Sequence, residues 1–183
     1  MTTAPASIRP SDASRGATVF IGLGANLGDA RAALRDALIA LQPLAQAGSF
    51  AASSLYGSAP VDSSGPDYVN AVARLRTGLA PLALLDALQA IEQDFGRQRP
   101  YRNAPRTLDL DVLLFGVEGA HGGITLADPR LTLPHPRAAQ RSFVLAPLAE
   151  LWPDGEIPGA GRVTDLLARA GRDPAQRVHR LDV

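Results

Sequence analysis

The chain has 183 residues, 46% of them apolar, with 18 basic and 18 acidic side chains and zero formal net charge, which suits one compact domain. It contains no cysteine, and all 18 of its Lys and Arg positions are arginine. Disulfides, thiolate zinc sites and thiol nucleophiles are excluded, as are the P-loop, the protein-kinase lysine and Schiff-base chemistry, each of which needs a side chain this sequence lacks.

A neutral chain offers no electrostatic case for nucleic-acid or membrane binding. Residues 1–16 lack the apolar stretch of a signal peptide, and no later apolar run is long enough to cross a bilayer. The expected organisation is a disordered leader over 1–16 and a single domain over 17–183, in a cytoplasmic monomer.

Thr18 to Leu23 is a β-branched and aromatic run that reads as a buried strand. The helix after it is capped by Asp29, carries Leu34, Leu38 and Leu41 at helical spacing, and is closed by Pro43. Phe50 to Tyr56 reads as a weaker strand. Tyr68 to Arg76 alternates, with Val69, Ala71, Ala73 and Leu75 on one face and Tyr68, Asn70, Val72, Arg74 and Arg76 on a mostly polar one. Pro81 opens a second helix whose stripe is Leu84, Leu88, Ile91 and Phe95, with Gly96 as the stop and Gln89 and Glu92 on another face. Thr107 to Phe115 is a strand whose apolar set is Leu108, Leu110, Val112 and Leu114. Strand, helix, strand, strand, helix, strand is the order of an α+β, ferredoxin-like split βαβ: an antiparallel sheet with both helices on one face. A C-terminal extension of helices and loops follows, with helices expected around Arg141 to Leu151 and Val163 to Ala170.

Alternation puts Asp109 and Asp111 on one face of the last strand, about 7 Å apart. Two hard oxygen ligands so placed can hold Mg²⁺ against a polyphosphate, although an isolated D-x-D is more often a solvated strand face. Just upstream, Arg97, Arg99, Arg102 and Arg106 occur with no acidic residue between them. Alone, such a loop is surface decoration or a nucleic-acid patch; beside paired carboxylates it suits a metal-bound triphosphate. His135, between prolines, is either a phosphate contact or structural, and lacks the spacing of a zinc helix. Gly22-Leu23-Gly24-Ala25-Asn26-Leu27-Gly28 misses the G-x-G-x-x-G spacing and reads as tight-turn glycines before a helix.

The stretches IGLGANLGD, SSLYGSAPV, PDYVNAVARL, IEQDFGR, PRTLDLDVLLFG and RLTLPHPRAAQRSFVLAPL closely resemble, in order, the 6-hydroxymethyl-7,8-dihydropterin pyrophosphokinase family. The resemblance implies transfer of pyrophosphate from ATP to a hydroxymethyl dihydropterin in folate biosynthesis, with AMP as the other product. It implies two Mg²⁺ ions on Asp109 and Asp111, and phosphate-acting arginines at Arg97 and Arg106, with Arg99 on a loop that closes between them. It further implies a nucleotide region of Gln89, Glu92, Arg130, Thr132, His135 and Arg141. Tyr68 and Phe143 match an aromatic pair that sandwiches the pterin, Asn70 an amide that reads its polar edge, and Ser58 to Val61 backbone that completes the pocket. Asn103 and Pro136 stand where better-known members carry tryptophan and tyrosine. The alternatives are a Mg-dependent phosphoryl or nucleotidyl transferase with another acceptor, and a ferredoxin-like RNA-binding module, whose sheet would need stacking aromatics with basic neighbours rather than paired acids.

Overall fold

Residues 16–60, 65–96 and 107–182 are described by the computed structural model. Strand β1 (Ala17–Ala25) runs past Leu23 and carries Gly22 and Gly24 as extended residues inside the strand. They are not turn glycines as expected; of that stretch only Gly28, at φ +61°, occupies the left-handed region that favours glycine. Helix α1 (Ala30–Leu41) begins where Asp29 accepts the Ala32 N–H at 3.0 Å.

The strand expected over Phe50 to Tyr56 is instead two short ones, β2 (Ala51–Ala52) and β3 (Tyr56–Ser58). Side chains interrupt the ladder between them: Ser53 Oγ accepts the Val72 N–H at 3.0 Å, and the Ser54 N–H goes to the Glu150 carboxylate at 3.1 Å. Strand β4 (Tyr68–Thr77) is central, and helix α2 (Pro81–Asp94) starts at Pro81 and stops before Gly96, whose φ is +73°. Strand β5 (Asp109–Phe115) closes the sheet edge.

The order β3-β4-β1-β5, antiparallel throughout, is the expected ferredoxin-like arrangement. Ile21, Leu23, Ala73, Leu75, Leu110 and Val112 pack on Leu34 and Leu41 of α1 and on Leu84 and Leu88 of α2. Burying each such leucine contributes about 1.5–3 kcal/mol. Leu114 does not belong to this face as expected. The β1–β5 register pairs Ile21 with Val112 and Phe20 with Leu114, so Leu113 is a bulge that turns Leu114 to the other side.

The C-terminal extension builds a second layer on that other side. It comprises the hairpin β6 (Leu126–Ala127) and β7 (Thr132–Leu133), helix α3 (Ser142–Leu151), the hairpin β8 (Glu156–Ile157) and β9 (Gly161–Arg162), helix α4 (Val163–Ala170) and strand β10 (Val178–Arg180). Leu145 and Leu148 of α3 and Val163 and Leu166 of α4 bury Phe20, Val72, Leu113 and Leu114, while Trp152 stacks on Phe20 with centroids 5.4 Å apart. The polar face of β4 is therefore only partly solvated: Arg74 and Arg76 are exposed, whereas Asn70 and Val72 are buried. Strand β10 pairs with β3 and covers the opposite sheet edge. Among the described residues no helix is long and apolar enough to cross a membrane.

Candidate active site

The pocket lies on the sheet face that α3 only partly covers. Register explains its floor: Gly24 pairs with Asp109 on one side and Asn70 on the other, and Gly22 likewise with Asp111 and Val72. With no side chain on β1 in these rows, the backbone is left open at Gly24, the Leu113 side chain lies over Gly22, and a cavity of about 110 Å³ opens above them. Asp109 and Asp111 form one wall, Ser58, Tyr68 and Asn70 the other, and His135, Arg141, Phe143 and Val144 close it from the α3 side.

Each polar group is oriented by a neighbour. Asn70, 4% exposed, donates through Nδ2 to Ser58 Oγ at 3.0 Å and to the Tyr56 carbonyl at 3.4 Å, which leaves Oδ1 over Gly24. The His135 N–H donates to the bulged Leu113 carbonyl at 2.9 Å, and its Nδ1 accepts the Arg137 N–H at 3.2 Å. The neutral ring then carries its proton on Nε2, which points at Asp111 Oδ2 from 3.9 Å. Burial lowers the His135 pKa from its ordinary 6.5, outweighing the opposite pull of Asp111, so the ring is neutral at pH 7. The Arg141 guanidinium lies 5.4 Å from the centre of the Phe143 ring, a cation–π contact. Tyr68 and Phe143 line the same cavity without stacking on each other, as a planar ligand between them requires.

The remaining expected residues divide into two groups. Glu92 is 1% exposed and accepts the Leu110 N–H at 2.9 Å, so it holds β5 between the two carboxylates from below rather than lining the cavity. Arg130 pairs with Asp86 of α2, one turn before Gln89, and its N–H goes to Asp128 Oδ1 at 2.8 Å. Helix α2, which carries Gln89, and strand β7, which carries Thr132, both pack on β5, and none of Gln89, Arg130 and Thr132 lines the cavity. Val61, Arg97, Arg99 and Arg106, with Arg102, lie outside the described residues. Gly22 and Gly24 were missed as site residues, although glycines two apart within a strand leave one face bare, a pattern visible in the sequence.

These features define a ferredoxin-like α+β domain with a substrate pocket walled by a carboxylate pair on one side and an amide and aromatics on the other. The profile of the 7,8-dihydro-6-hydroxymethylpterin-pyrophosphokinase family matches residues 20–153. The Pseudomonas aeruginosa 2-amino-4-hydroxy-6-hydroxymethyldihydropteridine pyrophosphokinase is 45% identical over 164 residues, 89% of this chain and 96% of that protein. Its Haemophilus influenzae counterpart is 42% identical over 151 residues, 82% and 91% of the two chains. A crystal structure of an HPPK-DHPS in complex with substrates superposes with a TM-score of 0.67 at 12% identity, over 92% of this chain and 47% of that one. A Plasmodium falciparum HPPK-DHPS triple mutant with pteroate gives 0.67 at 14% identity with the same coverage. The chain spans about half the length of these two solved proteins, and their likeness establishes the fold alone.

The chain belongs to the 7,8-dihydro-6-hydroxymethylpterin-pyrophosphokinase family. It is an ATP-dependent pyrophosphokinase whose reaction is pyrophosphoryl transfer to hydroxymethyldihydropterin in folate biosynthesis, which sets aside both the other-acceptor and the RNA-binding alternatives.

Proposed function

We propose that the cavity above Gly24 holds the dihydropterin, with Tyr68 and Phe143 on its two faces and Asn70 and Ser58 at its polar edge; Val61, outside the described residues, is proposed as a further pterin contact. The observation that carries this reading is the row Asp109, Gly24, Asn70 across three adjacent strands. Strands lie about 4.8 Å apart, so the amide and the carboxylate backbones are separated by about 10 Å. A bicyclic ring anchored at Asn70 extends its hydroxymethyl arm over the bare glycine toward Asp109 and Asp111. Ring stacking adds about 0.5–1.5 kcal/mol beyond burial.

Asp109 and Asp111 are proposed to hold two Mg²⁺ ions. Among the described residues no group of three or more His, Cys, Asp or Glu side chains surrounds them, which suits a hard cation that completes its shell with waters and phosphate oxygens. Held by these two carboxylates, magnesium would supply Lewis-acid stabilisation of the charge that develops on the polyphosphate during transfer. The protein's part is positioning: the pterin oxygen approaches the β-phosphorus, the bond to the α-phosphate oxygen breaks, and AMP leaves. Neutral His135 offers its Nε2 proton to an oxygen beside Asp111, and Arg141 adds a fixed positive charge on the α3 side. Arg97 and Arg106 are proposed to offset charge on the migrating group, and Arg99 to contact ATP. Gln89, Arg130 and Thr132 are proposed to serve the nucleotide from α2 and the β6–β7 hairpin, and Glu92, being buried, to act there only by holding β5 in place. The protein is proposed to act as a monomer.

The test is AMP release from ATP and Mg²⁺ with and without 6-hydroxymethyl-7,8-dihydropterin, with the pterin product followed by mass. AMP formed only with the pterin, matched by its diphosphate, is the expected result. ADP, or AMP without pterin dependence, refutes the assignment.

A further inference from the structure

The family match ends at residue 153, yet the last segment of the chain touches both walls of the pocket. After α4, Asp173 builds the turn Pro174–Gln176: its Oδ1 accepts the Ala175 N–H at 2.9 Å and its carbonyl the Gln176 N–H at 2.9 Å. Pro174, at the first position of that turn, fixes its φ. The turn presents the Gln176 side chain to the start of α3. There Oε1 accepts the Ser142 N–H at 2.9 Å, and Nε2 donates to the Gln140 carbonyl at 2.8 Å.

Those two backbone groups flank Arg141. Ser142 opens α3, so its N–H has no acceptor within the helix, and Arg141, at the N-cap position, carries no acceptor side chain with which to supply one. Gln176 therefore provides the cap that the helix's own sequence lacks and a tether to the preceding turn. It holds the peptide groups on either side of the residue whose guanidinium lies over Phe143. Two residues beyond Gln176, β10 begins its pairing with β3 at Val178 opposite Ser58, the hydroxyl that orients Asn70.

We propose that Gln176 is a positioning residue for substrate binding: its side-chain amide, bridging the Gln140 carbonyl and the Ser142 N–H, aims Arg141 and Phe143 into the pocket. This rests on the reading of Arg141 and Phe143 as substrate-binding residues. A bare helix cap acts on stability alone and is served as well by a carboxylate at the helix N-terminus. A two-sided bridge is not, because glutamate accepts from Ser142 but has nothing to donate to the Gln140 carbonyl.

The experiment uses the full chain and compares Gln176→Ala and Gln176→Glu, each with Arg141 intact and with Arg141→Ala, by thermal melting and by KM and kcat for both substrates. Gln176→Ala should raise the KM values about five- to tenfold, the effect of losing a pair of neutral hydrogen bonds, with a smaller change in kcat. Gln176→Glu should keep the wild-type Tm and still raise KM. Neither should raise KM further in the Arg141→Ala background, since the residues act as a unit. Wild-type KM values in Gln176→Glu, or additive losses with Arg141→Ala, overturn the proposal and leave Gln176 a cap. If Gln176→Ala fails to fold, Gln176→Glu alone decides. If Arg141→Ala and Phe143→Ala both retain wild-type kcat/KM, the reading of the pocket has failed, and the proposal falls with it.

Discussion

Gly24→Ala separates the role of the bare floor from the stability of the fold. Gly24 is extended, and a Cβ built on it lies 3.5 Å from Asn70 Oδ1, an ordinary contact, so the protein itself accommodates the methyl group. Removing a glycine from a strand interior should stabilise by about 0.5–1 kcal/mol. For a chain of this size that raises Tm by about 1–4 °C. The methyl group occupies the floor on which the pterin ring is proposed to lie, and overpacking of this kind costs about 1–3 kcal/mol. Pterin affinity should fall roughly five- to 150-fold, since a factor of ten corresponds to about 1.4 kcal/mol. Isothermal titration of the pterin in the presence of a non-hydrolysable ATP analogue measures this, beside a thermal melt of the same preparation. A folded Gly24→Ala variant that binds pterin within about twofold of wild type, less than 0.5 kcal/mol away, refutes the proposed placement of the ring.

Asp109→Asn and Asp111→Asn should each reduce turnover by about 10²-fold or more while leaving Tm unchanged or raised, because each removes a metal ligand and a like charge from one strand face; Mg²⁺ titration in the presence of ATP checks the loss of metal directly. Glu92→Ala strands the Leu110 N–H, which is buried, and should destabilise by about 1–3 kcal/mol in urea unfolding, with weaker Mg²⁺ binding as β5 loosens. Glu150 holds the β2–β3 segment to α3 through Ser54 and through the Tyr56 hydroxyl at 2.9 Å. Although desolvation opposes it, the hydrogen bonds from Ser54 and Tyr56, aided by Arg180, hold the Glu150 pKa below its ordinary 4.5. Its contribution is present above that value and lost as pH falls through the lower folded one. Glu150→Gln should therefore cost about 1 kcal/mol at pH 7, given its exposure, and converge with wild type in acid. Tyr56 is shifted the other way, first by burial and then by Glu150, so stability should decline as pH rises above the ordinary 10.0.

The strand and helix order was legible because its elements are long and strongly patterned: α2 has Pro81 at its start, Gly96 past its end and leucines on one stripe. What escaped was decided by contacts distant in sequence. Nothing local in Ser53 and Ser54 says that the Ser53 hydroxyl will take the Val72 N–H and that Glu150 will draw the Ser54 N–H, splitting one strand into two. The bulge at Leu113 is likewise invisible to period-two counting, which assigned Leu114 to the wrong face. In the site, alternation alone placed Asp109 with Asp111 and Tyr68 with Asn70. That the two pairs share one face of one sheet follows only from the strand order and register. His135 read from its loop only as a phosphate contact or a structural residue, and the roles of Arg141 and Phe143 came from family resemblance, because loop and helix-start residues carry no periodicity to read. Gln176 carried no signal, since its partners lie 34 and 36 residues away.

The positions that break local rules converge on the pocket. Gly22 and Gly24 weaken a central strand, Asp109 and Asp111 place two like charges on one strand face, Leu113 bulges, and Ser142 Oγ is buried with no hydrogen-bond partner among the described residues. Each is unfavourable to the fold taken alone, and each borders the same cavity or the start of α3. Sequences retain such departures where a site requires them, the stability coming from elsewhere. Here it comes from the two leucine-rich layers on either face of the sheet. The consequence is testable in one protein: Gly24→Ala combined with Asp111→Asn should melt above wild type and make no pterin diphosphate. A combined variant that melts lower would mean that these residues hold the sheet together, and that the convergence has a structural origin instead.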